Sequence, residues 1–173
     1  QSIRARNWFA VNWNLAALHA DYNSSKNSLI NFRAFGLIAG RDALGILDQI
    51  TRADEGGNRN LLTDDFKNVG AELRFLQYYK TGKTASVFLI GGRYYRGLTL
   101  RNQGLGDSTS EANFKYINPN EPENSKYSFP SQNLSFFAEN IFRVNHRLAI
   151  TPGVRFEFID TRSSGYYNVE NKN

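Results

Sequence analysis

Apolar residues recur at every second position along most of this chain, a period that strands show and helices do not. The pattern is plainest in FFAENIFRVNHRLAITPGVRFEFI, residues 136–159. One parity carries Phe136, Ala138, Asn140, Phe142 and Val144, then Ile150, Pro152, Val154, Phe156 and Phe158. The other carries Glu139, Arg143, Arg155 and Glu157. Two alternations meeting across a tight Asn145-His146 turn predict a β-hairpin with one apolar, aromatic face and one charged face.

The same period predicts four earlier strands. The first runs from about Trp13 to Tyr22, with Ala16, Leu18, Ala20 and Tyr22 opposite His19 and Asp21, and ends in the turn-prone Asn23-Ser24-Ser25-Lys26-Asn27. The second, about Ser28 to Arg41, sets Ile30, Phe32, Ala34 and Ile38 against Asn31, Arg33 and Arg41. After Gly45 the pattern lapses into a charged, Gly-rich excursion, with a short helix expected over Asp42–Gln49. The third strand, about Asn68 to Tyr79, alternates Val69, Ala71, Leu73 and Phe75 with Glu72 and Arg74, and closes at Lys80-Thr81-Gly82-Lys83. The fourth, about Ala85 to Leu98, has Phe88, Ile90 and Tyr94 opposite Arg93 and Tyr95. Residues 101–130 are dense in Asn, Ser, Gly, Pro and acids and read as a loop.

Connections therefore alternate short and long, as in an up-and-down antiparallel sheet with turns at one end and elaborated loops at the other. Alternation also fits a soluble β-sandwich whose long loops bind a ligand or protein partner. Long strands, short turns at one end only and aromatics near strand ends favour a transmembrane β-barrel, represented by a partial sheet of about six strands.

Composition narrows the field further. No apolar run approaches the roughly 20 residues of a membrane helix, which says nothing against strands. The absence of cysteine removes disulfides and thiol chemistry. A net charge of +5 is dispersed along the chain rather than gathered into a nucleic-acid stripe. With Gln1 first, no Met anywhere and no signal-peptide pattern, a processed or excised piece of a longer protein is expected.

Catalytic and metal motifs are weak. Thr81–Thr84 carries the GKT end of a phosphate loop, but Gln77 stands where its first Gly belongs. His19 and His146 lack metal-ligand spacing, and Asp64-Asp65 and Glu121/Glu123 read as solvated loop charge. Asn23-Ser24-Ser25 and Asn133-Leu134-Ser135 match the glycosylation sequon. Neither an enzyme activity nor a cofactor or metal is expected.

The final hairpin closely resembles the mid-barrel hairpin of TonB-dependent outer-membrane transporters. Phe137, Ala138, Glu139, Asn140, Phe142 and Arg143, then Thr151, Pro152, Gly153, Val154, Arg155, Phe156 and Glu157, occupy the family's places. The stretches NWNLAALHADYN, KNVGAELRFL and GGRYYRG resemble earlier strands of the ferric-citrate branch. The resemblance implies that residues 1–173 are part of a barrel of about 22 strands in the outer membrane of a Gram-negative bacterium. It also implies as partners the membrane lipid, an N-terminal plug, the TonB protein reached through that plug, and a ferric chelate as cargo. Ferric citrate or a related siderophore would be imported, and no nucleic acid bound. The plug and the remaining strands have no counterpart in this sequence.

Under that resemblance Phe32, Phe88, Phe136, Phe142 and Phe156 are expected to face lipid. Arg33, Glu72, Arg74, Glu139, Arg155 and Glu157 are expected to line a wet lumen and pair across strands. Arg41, Arg93 and Arg96 lie toward the loop-bearing end, and Arg101 follows in the loop. With Tyr94 and Tyr95 they are the candidates for binding an anionic chelate, because guanidinium groups grip carboxylates in a bidentate fork.

Overall fold

In a computed structural model, which describes residues 4–46, 48, 51–82, 84–145 and 147–168, the chain forms one antiparallel sheet. Five long strands lie side by side in chain order: β1 (Trp8–Ser25), β2 (Ser28–Gly45), β3 (Asn60–Thr81), β4 (Thr84–Leu105) and β5 (Ser125–Arg143). Against β5 run three short segments, β6 (Ala149–Ile150), β7 (Gly153–Thr161) and β8 (Ser164–Tyr167). These are one interrupted sixth strand, because the register continues across both breaks: Phe142 faces Ile150, Glu139 faces Gly153, Ser131 faces Thr161 and Ser128 faces Ser164. The first break falls at Thr151-Pro152, where proline has no N–H to give the ladder, although its carbonyl still accepts from Asn140 N at 3.0 Å.

The sheet is a single layer. Among the described residues only Ala39, Leu44 and Leu61 are buried hydrophobics, while Phe156 is 63% exposed and Phe136 51%. Residues directly opposite in an antiparallel pair share a face, so the register sorts every side chain. One row runs Ala20, Phe32, Leu73, Gly92, Phe136, Phe156 across the sheet, and the next runs Leu18, Ala34, Ala71, Tyr94, Leu134, Phe158. The opposite face holds the row His19, Arg33, Glu72, Arg93, Ser135, Glu157. We refer to these as the aromatic and the charged face.

Two sequence expectations are corrected. The helix over Asp42–Gln49 is absent as far as the described residues extend: Asp42–Gly45 completes β2, paired to Asn60–Thr63, and Gln49 lies outside the described residues. The loop expected over residues 101–130 shrinks to 106–124, because β4 continues to Leu105 and β5 starts at Ser125. In both places polar side chains stand on strands that extend past the apolar band. There the ladder is satisfied by neighbouring backbone, so composition alone misreads the segments as loop.

The turns are local. Ser25 Oγ bonds Ser28 Oγ at 2.8 Å, and Gly82 takes φ 63 in open space, a left-handed conformation that glycine adopts without penalty. Lys83 lies outside the described residues. In the last hairpin Asn145 Oδ1 accepts from Arg147 N at 2.8 Å and Leu148 N at 2.9 Å, so Asn145 organises the turn. His146 is outside the described residues.

Candidate ligand-facing surface

Arginine-rich chemistry gathers on the charged face toward the loop-bearing end. Arg41 of β2, Asp64 of β3 and Arg101 of β4 stand directly opposite one another in register. Arg101 donates from Nε to Asp64 Oδ1 at 2.6 Å and from Nη2 to Oδ2 at 3.1 Å. Arg41 donates from Nε to Oδ2 at 3.0 Å and makes a second bond through Nη2. The Asp64 side chain is 0% exposed, whereas each arginine side chain is 41% exposed. Two cations share one carboxylate, so the cluster keeps one net positive charge turned to solvent.

Further from the loops, glycines make room for flat-lying rings. A Cβ on Gly70 would lie 2.5 Å from Phe35 Cζ. Phe35 stacks on Tyr95 with centroids 6.4 Å apart, and the Arg93 guanidinium lies 5.8 Å from the Phe35 centroid. Likewise a Cβ on Gly91 would lie 2.6 Å from Phe137 Cζ, and that ring lies between Arg74 and Arg155 at 5.9 and 5.5 Å. These are cation–π contacts on a surface that also displays carboxylates.

The long loops are built around two arginines near the strand ends. Arg6 donates to both Asp54 oxygens at 2.8 and 2.6 Å, to Gly57 O at 3.1 Å and to Ser108 O at 2.7 Å, tying the β2–β3 and β4–β5 loops together. Arg59, fully buried, donates to Asp107 O at 3.1 Å and Arg6 O at 3.1 Å and pairs with the Asp107 carboxylate. The Arg6 guanidinium, then the Gly56 N–H, hold the Asp54 carboxyl down at about 2. Arg59 and then Asn113 do the same for Asp107. Tyr116 bonds Thr63 Oγ1 at 3.0 Å and Asn102 O at 2.8 Å; burial pushes its phenol up to about 12. Thr63 belongs to the aromatic-face parity, so Tyr116, bonded to its hydroxyl, anchors the β4–β5 loop over that side of the strand ends.

No family model matches the chain, and no curated protein matches it. Among solved structures, the ferric citrate transporter FecA in its unliganded form is similar, with a TM-score of 0.75 at 18% identity over 94% of this chain. The fold is a partial antiparallel β-barrel. This chain spans only 23% of the FecA chain.

Within this barrel wall, Arg41, Arg93, Arg101 and Tyr95 share the charged face, together with Arg33, Glu72, Arg74, Glu139, Arg155 and Glu157. Phe32, Phe88, Phe136, Phe142 and Phe156 share the aromatic face. Arg96 and Tyr94 do not join the arginine set: Arg96 stands opposite Val69 and Gln132, and Tyr94 opposite Ala71 and Leu134, on the aromatic face. The expectation that Arg96 joins Arg41 and Arg93 in one anion-binding set is thereby corrected, since three positions separate it from Arg93 and a strand alternates every residue. Ion pairs expected across strands form along them instead, Arg74 with Glu72 at 2.7 Å and Arg155 with Glu157 at 2.5 Å.

Asp64, Arg6, Arg59, Asp54 and Asp107 escaped sequence reasoning. Asp64 looked like loop charge because its strand neighbours are far away in sequence. The one readable signal was Asp107-Ser108-Thr109, whose side chains commonly cap turns; Thr109 N does donate to Asp107 Oδ1 at 3.1 Å.

Proposed function

We propose that the chain is part of the wall of an energy-coupled outer-membrane receptor that binds and imports a ferric chelate, ferric citrate or a related siderophore. The observation that carries this reading is the division of one barrel-like sheet into an exposed aromatic face and a guanidinium-rich face. A soluble sandwich would pack Phe32, Phe136 and Phe156 against a second sheet, and the described residues form none. In this reading the aromatic face meets hydrocarbon, where a strand needs only about 9–11 residues to cross. Strands of 18–22 residues therefore stand well clear of the membrane at the loop-bearing end.

Cargo specificity is assigned to the charged face. The solvent-facing edges of Arg41 and Arg101 offer donors to the carboxylates of an anionic chelate, and Arg93 with Tyr95 lies deeper on the same face. Phe9, Val11, Trp13 and Leu15 line the same side of β1 and are more than half exposed in each case. Such a patch needs cover, and a plug inside the lumen, the part that would meet TonB, supplies it.

The test is chelate binding by the intact receptor in detergent. Replacing Arg41 and Arg101 together, or Arg93 alone, by Ala is expected to weaken ferric citrate binding by about tenfold or more, the scale of one charged hydrogen bond. Arg96→Ala is expected to leave it within about twofold. Unchanged affinity in both charged-face variants would overturn the assignment.

A further inference from the structure

We infer that the aromatic face carries a specific site for a lipid with a phosphate headgroup, built around Lys67 and Arg96. This rests on the membrane reading above and concerns the side of the wall that cargo does not touch.

A cavity of about 880 Å³ among the described residues is an open groove on the aromatic face rather than on the charged one. Its side chains come from two consecutive rows of that face: Ala16, Gly36, Val69 and Arg96 in one, Asn14, Ile38, Lys67, Leu98 and Pro130 in the next. The floor lies low because Ala16 and Gly36 are small. A Cβ on Gly36 would meet only Asn68 O, at 3.8 Å. On the turn side the groove runs into the apolar rows of Ala34, Ala71 and Leu73. On the loop side the described strands turn polar, and Tyr116 roofs the face through Thr63. The groove thus lies where the apolar band ends.

At that boundary stand two cations on adjacent strands, diagonal to each other because Lys67 faces Leu98 and Arg96 faces Val69. Both are exposed, and neither makes a hydrogen bond or ion pair among the described residues. The acids on this face do not neutralise them. Asp160, in the Arg96 row, is taken by Arg162 through bonds of 2.8 and 3.1 Å, and Asp65 lies one row further toward the loops. A pair of unmatched cations beside an apolar trough complements an amphiphile with an anionic head and acyl chains. Arginine and lysine both bind phosphate well, and cations near a membrane surface attract anionic lipid. A free anion would leave the trough empty, and a neutral lipid would leave the cations unmatched.

The experiment places the intact receptor in nanodiscs containing equal amounts of phosphatidylglycerol and phosphatidylcholine with identical chains, and counts retained lipids of each kind after transfer to detergent. The wild type is expected to retain phosphatidylglycerol about tenfold over phosphatidylcholine, from roughly a few-fold contribution per cation. Lys67→Gln/Arg96→Gln should lose the preference, and Gly36→Leu, which fills the trough, should reduce total retention while keeping the preference. Inorganic phosphate should not displace the lipid. Equal retention of both lipids by the wild type, or an unchanged preference in the double variant, would overturn the site. Should the double variant fold poorly, the single charge reversal Lys67→Glu gives the same reading, because it leaves the pair with no net charge and must abolish the preference. A receptor that inserts into nanodiscs yet shows no preference refutes this site alone; one that stays soluble without lipid refutes the membrane reading itself.

Discussion

Asp64 offers the sharpest perturbation, because one buried carboxylate holds two guanidiniums from flanking strands. We predict that Asp64→Asn, nearly isosteric, destabilises the wall by about 3 kcal/mol. Hydrogen bonds to charged groups are worth about 1.5–3 kcal/mol each, and four donors lose a charged acceptor. Both arginines are 41% exposed, so solvent recovers much of that sum. What remains is the repulsion of two guanidiniums standing two strand spacings apart, roughly 10 Å, on the order of 2 kcal/mol at an effective dielectric of 20. Removing one cation as well, in Asp64→Asn/Arg101→Gln, should restore more than half of the loss. The assay is urea unfolding of the intact protein, followed by heat-dependent gel migration, with hydrogen exchange read at the loop-bearing ends of β2, β3 and β4. If the double variant is as unstable as the two single losses added together, repulsion is not the dominant cost and the reasoning fails.

Three other outcomes follow from the same structure. Arg59→Leu should strip Asp107 of its cation and the Arg6 carbonyl of its guanidinium donor and open the β4–β5 loop, read as at least tenfold faster proteolysis within 106–124 with strand protection unchanged; equal cleavage rates would refute it. Acid should release the loops: Asp54 and Asp107 titrate at about 2 when folded, against an ordinary value near 4. A depressed folded value contributes stability that is complete above the ordinary value and lost as pH falls through the folded one. Exchange of loop amides, corrected for intrinsic rates, should therefore be flat from pH 7 to 5 and accelerate between about 4 and 2. Gly91→Ala places a methyl 2.6 Å from Phe137 Cζ and 2.7 Å from Leu73 O. Because backbone cannot yield as a ring can, a loss of about 1–3 kcal/mol is expected in the same urea assay, and a neutral effect would show that β4 has room to shift.

The period-two pattern was enough to read the sheet, its up-and-down order and the two faces of the last hairpin, because each depends only on alternation within one strand. Strand ends were not legible. Asn60–Lys67 and Ser125–Ser135 carry few apolar residues, and what makes them strands is pairing to segments remote in sequence. The arginine cluster failed to appear for the same reason: register across β2, β3 and β4 brings Arg41, Asp64 and Arg101 together, and no single strand contains that information. Arg96 shows a narrower fault. Proximity in sequence to Arg93 suggested a shared role, yet three positions along a strand reverse the face.

That reversal bears on how such a wall tolerates charge. On the charged face Arg74 pairs with Glu72 and Arg155 with Glu157 within one strand, so losing either pair leaves the register between strands to the backbone ladder and to rings such as Phe35 and Phe137. The Arg41–Asp64–Arg101 bridge is the exception, since its bonds span three strands. It lies in the half of the strands beyond the apolar band, where water can share the load and where the guanidinium edges not turned to Asp64 face solvent. On the proposed function, a wall built this way can vary its solvent-facing arginines to suit a cargo while keeping its register, provided the buried carboxylate stays. Arg41→Lys should therefore change chelate affinity, by replacing a planar fork with a point charge, at little cost to stability. If Arg41→Lys instead destabilises the receptor as much as Asp64→Asn does, the bridge is primarily structural and cargo recognition must be sought elsewhere on the charged face.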